Sequence, residues 1–62
     1  MSTAADTAAT RVENVAVTEA KRIIRAAIDT GARKGDLQAA RDEAAAVMAA
    51  AFTLGELTRA AS

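Results

Sequence analysis

The chain has 62 residues, with eight basic and eight acidic side chains and no cysteine, histidine, tyrosine or proline. A chain of this length forms one small domain and buries only about 60% of the surface that its unfolded form exposes. Without cysteine or histidine it lacks disulfides, thiolate nucleophiles, the common zinc ligands and the usual general base near neutral pH. We therefore expect no catalytic residues, no metal and no cofactor, and we expect stability to come from association with another chain.

The first nine residues, MSTAADTAA, are small or polar and lack the basic start and long apolar core of a secretory signal. This composition predicts a flexible N-terminal tail over residues 1–9. With no cysteine to indicate an oxidising compartment, we expect a cytoplasmic location, or one within a phage particle.

The apolar residues of the rest of the chain recur with a period near 3.6 over two stretches, which predicts two helices and an all-α fold. The first helix is predicted over residues 10–30. Thr10 and Glu13 have the spacing of a capping box and would begin it. Most of its apolar side chains fall on one arc of about 160° at 100° per residue, with Glu13 as a charged exception.

A turn is predicted over residues 31–35. Gly31 can adopt the left-handed backbone that ends a helix, and Asp36 is a suitable N-cap for a second helix over residues 36–60. A connection this short joins antiparallel neighbours. Residues 10–62 therefore form a helical hairpin.

The main apolar stripe of the second helix advances in steps of three and four residues, which is a seven-residue repeat. Its partner is the apolar arc of the first helix. The predicted packed seam consists of Val12, Val17, Ala20, Ile24, Ala27, Leu37, Ala44, Val47, Ala51 and Leu54. Two pairs at i,i+3 spacing, Glu19 with Arg22 and Glu56 with Arg59, are predicted as surface ion pairs.

Residues 43–52, EAAAVMAAAF, carry alanine on several helical faces. The block is too short to span a bilayer, which needs about 20 apolar residues. One interpretation is intrinsic helix propensity with alanines tolerated at the surface. The other is close helix packing, of which the hairpin partner covers only one face. On that interpretation a second subunit covers Ala45, Ala46, Ala49, Ala50 and Phe52, and the hairpin self-associates, most simply into a dimeric four-helix bundle.

The best polar patch consists of Arg22, Arg25, Arg33 and Lys34, which predicts a contact with an anion or with nucleic acid. A solvated surface and an ordinary interhelix turn are the simpler interpretations. The shortage of aromatic residues argues against recognition of single-stranded bases. In length and hairpin plan the chain resembles the Rop class of small plasmid RNA-binding proteins, which are dimeric four-helix bundles; no residue carries over from this likeness.

The sequence thus predicts a small noncatalytic homo-oligomer that acts as a protein–protein interaction, regulatory or assembly module. Its partners would be a second copy of itself and another protein, with no membrane contact. The first alternative is a helical dimer that binds the backbone of RNA or DNA through its basic face. A further alternative is an oligomer that holds a small anionic ligand, such as a nucleotide signal, between subunits.

Overall fold

The computed structural model describes residues 3–61, which form two helices and the turn between them. Helix α1 spans Thr3–Asp29 and helix α2 spans Lys34–Ala60. The helices pack against each other along their lengths, so the described part of the chain is an all-helical hairpin, as predicted. Its Cα atoms fill a flat, elongated volume of 46 × 15 × 7 Å.

The end of α1 is a Schellman motif centred on Gly31. This glycine has a φ of +72°, which is the left-handed conformation that the sequence predicted for it. The Ala32 N–H donates to the Ala27 carbonyl at 3.0 Å, and the Gly31 N–H donates to the Ile28 carbonyl at 3.0 Å. These bonds satisfy carbonyls that would otherwise be left open at the helix end, and they turn the chain back toward α2.

The start of α1 differs from the prediction. The helix begins at Thr3 rather than near Thr10, so residues 3–9 are helical where a flexible tail was predicted; residues 1 and 2 lie outside the described part. Alanine is the strongest helix former, and Ala9 is completely buried. Asp6 also contacts Arg59 of α2. Packing against the second helix therefore extends α1 beyond what its own caps would indicate.

The start of α2 also differs. The helix begins at Lys34, two residues before the predicted position, and Arg33 occupies the N-cap with an extended backbone and no side-chain cap bond. Asp36 is therefore not the N-cap. It lies in the first helical turn, where its negative charge is still favourable beside the helix N-terminus.

The seam between the helices is made of small side chains. Six of the seven buried apolar residues that the structure describes are alanines, and the seventh is an isoleucine: Ala9, Ala16, Ala20, Ile23, Ala40, Ala44 and Ala51. Gly55 is buried as well. Among residues 3–61 no buried polar or charged residue interrupts this seam.

The predicted seam is therefore correct only in part. Ala20, Ala44 and Ala51 are buried as expected, and five more of its members are half-buried: Val17, Ile24, Ala27, Leu37 and Val47. Val12 and Leu54 were placed wrongly, because both are exposed. The helices approach each other along their smallest residues, which leaves the larger side chains at the edges of the contact.

Candidate interaction surfaces

A cluster of polar side chains joins the helices at the open end of the hairpin, away from the turn. Arg59 forms a forked pair with Glu13: Nη2 donates to Oε1 at 2.8 Å and Nη1 donates to Oε2 at 3.0 Å. Arg59 Nε lies 3.3 Å from Asp6 Oδ1, and Nη2 donates to Thr10 Oγ1 at 3.4 Å. One guanidinium thus holds three successive turns of α1. We call these four residues the Arg59 cluster.

The Glu13 carboxylate is the most sheltered acceptor of the Arg59 cluster. Its side chain is 14% exposed, compared with 60% for that of Asp6. The hydrogen bonds from Arg59 lower the pKa of Glu13 and outweigh the opposite effect of its burial. The same bonds raise the pKa of Arg59. Both groups are therefore charged at neutral pH, and the forked geometry is the stronger type of arginine–carboxylate pair.

Gly55 provides the space for this contact. A Cβ atom at position 55 would lie 2.6 Å from Glu13 Oε2 and 3.3 Å from Arg59 Nη1. The first distance is shorter than any ordinary contact, so a side chain here would push the Glu13 carboxylate away. Gly55 is therefore a point of close approach between the two helices.

The sequence did not predict the Arg59 cluster. Thr10 and Glu13 were interpreted as a capping box, but both lie inside α1. Arg59 was paired with Glu56, whereas its ion pairs in the structure are with Glu13 and Asp6. One signal was available: Glu13 is the charged residue on the apolar arc, and a carboxylate in that position requires a cationic partner from the opposite helix.

The other predicted ion pair, Glu19 with Arg22, is confirmed. Arg22 Nε donates to Glu19 Oε2 at 2.9 Å, and Arg22 Nη2 contacts Glu19 Oε1. The hydrogen bond from Arg22 lowers the pKa of Glu19. The Arg22 side chain is 64% exposed and that of Glu19 is 42% exposed, and both belong to α1, so this pair does not join the two helices.

The four predicted anion-contact residues are all exposed, and they lie in two parts of the hairpin. Arg22 and Arg25 lie on α1 and, with Thr18 and Lys21, line an open depression of about 270 Å³. Arg33 and Lys34 form the N-cap and first residue of α2. The charge of Arg22 is already partly satisfied by Glu19. The arrangement presents positive charge to solvent without enclosing a ligand.

The predicted subunit interface on α2 is exposed in the isolated hairpin. Ala45, Ala46, Ala49 and Ala50 are all accessible, and Phe52 is 43% exposed. At 100° per residue these side chains spread over about 160° of the outer half of α2 and do not form one flat face. Their contact with another subunit remains a prediction.

Large apolar side chains lie outside the seam. Six of those in the described part of the chain are more than a third exposed: Val12, Val15, Ile28, Phe52, Leu54 and Leu57. The molecule therefore places alanine at the centre of the contact between its helices and leaves several larger apolar side chains partly in contact with solvent. Sequence periodicity could not show this, because it assigns a face to each residue but does not fix which part of a wide apolar arc the other helix covers.

Chemistry within the described residues is limited. A broad depression beside Asn14 is lined by residues of α1 alone, so it is open and encloses nothing. No group of three or more acidic side chains in residues 3–61 could hold a metal ion. Neither described helix combines the length and the apolar content that crossing a membrane requires.

Comparison with known proteins gives no family. The sequence matches no protein-family model, and searches of curated proteins and of solved structures find no significant match.

Proposed function

We propose that this chain is a noncatalytic helical hairpin that self-associates and acts as a protein–protein interaction, regulatory or assembly module. The observation that supports this most directly is the distribution of apolar side chains. Among the described residues, Ile23 is the one large apolar residue at the seven buried apolar positions, whereas six large apolar residues are exposed. Such a surface is typical of a protein that associates with another chain rather than of a stable monomer.

The seam between the helices contributes little free energy to folding. A fully buried leucine or isoleucine stabilises a fold by about 1.5–3 kcal/mol, and an alanine methyl group contributes much less. Ordering each residue of the backbone costs about 1–2 kcal/mol. The burial of six alanines and one isoleucine offsets only a small part of the conformational entropy that is lost when two helices of 27 residues each form. Two hairpins packed together would bury the larger side chains in a shared four-helix core.

A noncatalytic role is supported by the direction in which the pKa values of the carboxylates are shifted. Catalytic acids and bases usually have a pKa shifted toward neutrality by burial. Here the two carboxylates with shifted pKa values, Glu13 and Glu19, are both shifted downward by arginine partners. Such groups are fixed as charges and do not exchange protons near pH 7.

The direct test is the molecular mass in solution across concentration. We expect sedimentation equilibrium between about 1 and 500 μM to give a mass that is a multiple of 6.3 kDa, with dissociation at the dilute end. Circular dichroism on the same samples would report whether helix is retained. A well-folded monomer at every concentration would contradict the proposal.

A second candidate function is binding to the backbone of RNA or DNA. It is favoured by one observation, the exposed cations Lys21, Arg22 and Arg25 on one side of α1. Binding of this kind weakens steeply with salt, because each neutralised phosphate releases counterions.

The nucleic-acid candidate can be tested with two matched variants. One replaces Arg22 and Arg25 with alanine, and the control removes the same number of charges at Arg11 and Arg41, which are exposed at other positions. Loss of duplex binding in the first variant alone would support this function. Absence of binding by the parent protein at low salt would exclude it.

A further inference from the structure

The contacts of the Arg59 cluster identify which side chains lie on the same broad face of the flat hairpin. Asp6, Thr10 and Glu13 lie on one edge of α1, and they are contacted by Arg59 from one edge of α2. These two edges therefore belong to the same broad face. The remaining edges of α1 and α2 must form the opposite broad face.

Four exposed aliphatic side chains lie on that opposite face. Stepping 100° per residue from the buried seam, Val12 and Val15 fall on the edge of α1 away from Glu13. Leu54 and Leu57 fall on the edge of α2 away from Arg59. We call these four residues the aliphatic band. Their exposed fractions are 36%, 63%, 50% and 62% in chain order.

The aliphatic band is continuous across the width of the hairpin. Gly55 lies against Glu13, and Arg59 reaches Thr10, so residues 12–15 and 54–57 run side by side. Leu57 and Val15 lie farthest from the seam, with Leu54 and Val12 between them. The result is one apolar strip that crosses both helices near the open end.

Within residues 3–61, the other broad face has no comparable strip of large apolar side chains that are more than a third exposed. Its two exposed large apolar residues are Phe52 and Ile28. Residue 52 lies beside about residue 16 of α1, so Ile28 is about 18 Å farther along at 1.5 Å per residue. At the open end this face carries the charged groups of the Arg59 cluster, which already satisfy one another.

The total exposed area of the hairpin is large enough to include an interface with a second copy. The hairpin exposes 4568 Å², whereas a compact monomer of 6.3 kDa would expose roughly 3700 Å². The excess of about 800 Å² equals what one partner buries in a protein–protein interface of standard size. A second copy supplies a surface of the same extent and apolar chemistry.

We propose that two copies of the chain pack face to face through the aliphatic band; this rests on the self-association proposed above. A two-fold axis parallel to the helices sets Val12 and Val15 of one copy over Leu54 and Leu57 of the other, at the same level. Every neighbouring pair of helices in the resulting bundle is antiparallel. The contact is isologous, so it closes as a dimer.

Three double variants, each adding two glutamates, separate the faces of the hairpin. The first is Val15→Glu with Leu57→Glu, in the aliphatic band. The second is Ile28→Glu with Phe52→Glu, on the opposite broad face. The third is Ala45→Glu with Ala49→Glu, on the outer side of α2. All three change the net charge equally and replace exposed residues.

Sedimentation equilibrium on the three variants gives the decisive comparison. We expect the first to raise the dimer Kd by at least about 100-fold and the other two by less than about tenfold. An unchanged Kd in the first variant would overturn the proposed interface while leaving self-association intact. A parent protein that is monomeric throughout would overturn both.

A second measurement covers the case in which the first variant does not fold. The chain has no cysteine, so Leu57→Cys and Phe52→Cys introduce single thiols on opposite broad faces. Above the Kd we expect the thiol at position 57 to react with a maleimide at least about tenfold more slowly than below it, because the second copy excludes the reagent. The thiol at position 52 should react at a constant rate. The reverse pattern, or no change at position 57, would overturn the proposal.

Discussion

The seam between the helices and the aliphatic band on one broad face have opposite compositions. The seam contains alanine at six of its seven buried apolar positions, whereas the band contains valine and leucine in contact with solvent. Small side chains allow the two helices to approach closely, so the seam determines the shape of the hairpin. The band holds apolar area that the hairpin cannot bury by itself. In a chain of two helices these two tasks are assigned to different surfaces.

The largest effect is expected when a small side chain of the seam is replaced by a larger one. Ala51 is buried and Ala49, on the same helix, is exposed. We expect Ala51→Leu to reduce the free energy of unfolding by about 1–3 kcal/mol through overpacking. The matched variant Ala49→Leu should change it by less than about 0.5 kcal/mol. Urea unfolding monitored by circular dichroism would measure both.

Two results would change the account of the seam. If Ala51→Leu had no effect, residue 51 would not be at the helix contact. If Ala49→Leu were as disruptive as Ala51→Leu, the outer alanines of α2 would also be packed, as the sequence predicted for a subunit interface.

The turn allows a test of how much the left-handed backbone at Gly31 contributes to the stability of the hairpin, apart from the seam. Gly31 has a φ of +72° and no neighbouring atom within 4 Å of an added Cβ, so Gly31→Ala adds backbone strain and no clash. We expect a loss of about 1–2 kcal/mol in the free energy of unfolding, with helix content retained. Gly35→Ala, in the first turn of α2, is the control and should stabilise by up to about 1 kcal/mol. Equal effects from the two variants would contradict the Schellman geometry.

Gly55 allows a test of the close helix contact at the open end of the seam. Alanine in a helix interior is favoured over glycine by about 1 kcal/mol, but a Cβ at position 55 would displace the Glu13 carboxylate from Arg59. We expect Gly55→Ala to stabilise a Glu13→Ala protein by up to about 1 kcal/mol and to stabilise the parent less, or to destabilise it. Thermal unfolding of the four proteins of this cycle would measure the difference. Identical effects in both backgrounds would show that the two residues are not in contact.

The smallest expected effect is a pH dependence of the Arg59 cluster. Arg59 lowers the pKa of Glu13 below 4.5 in the folded state, so the unfolded chain binds a proton first as the pH falls. This contribution to stability is complete above about pH 4.5 and is lost as the pH drops through the lowered pKa. Glu13→Gln should therefore make the free energy of unfolding less dependent on pH below 4.5.

The surface pair provides the control for this measurement. Glu19 also has a pKa lowered by its arginine, but its side chain is 42% exposed and its partner is on the same helix. We expect Glu19→Gln to flatten the pH dependence less than Glu13→Gln does. A larger effect at Glu19 would mean that the Arg59 cluster does not join the helices in solution.

The helical hairpin and its turn could be predicted from sequence because their signals are local. A period of 3.6 and a glycine at the end of an amphipathic segment define α1, Gly31 and α2 without knowledge of the packing. The early start of α1 could not be predicted in this way. It depends on contacts of Ala9 and Asp6 with the distant second helix.

The surfaces were less predictable than the fold for the same reason. The Arg59 cluster joins residues 46 to 53 positions apart, so no local motif describes it. The exposure of Val12 and Leu54 follows from a rotation of each helix that brings alanine to the contact. A wide apolar arc is compatible with several such rotations, and only the mutual fit of the two helices selects one.

The central claim, that the hairpin is completed by a second copy, is tested most directly by the dependence of thermal unfolding on concentration. If folding and association are coupled, mass action raises Tm as the protein concentration increases. We predict that Tm, measured by circular dichroism at 222 nm, rises steadily as the protein concentration increases from about 1 to 500 μM. A cooperative transition with the same Tm at every concentration would contradict the claim, because a stable monomer would then need no partner.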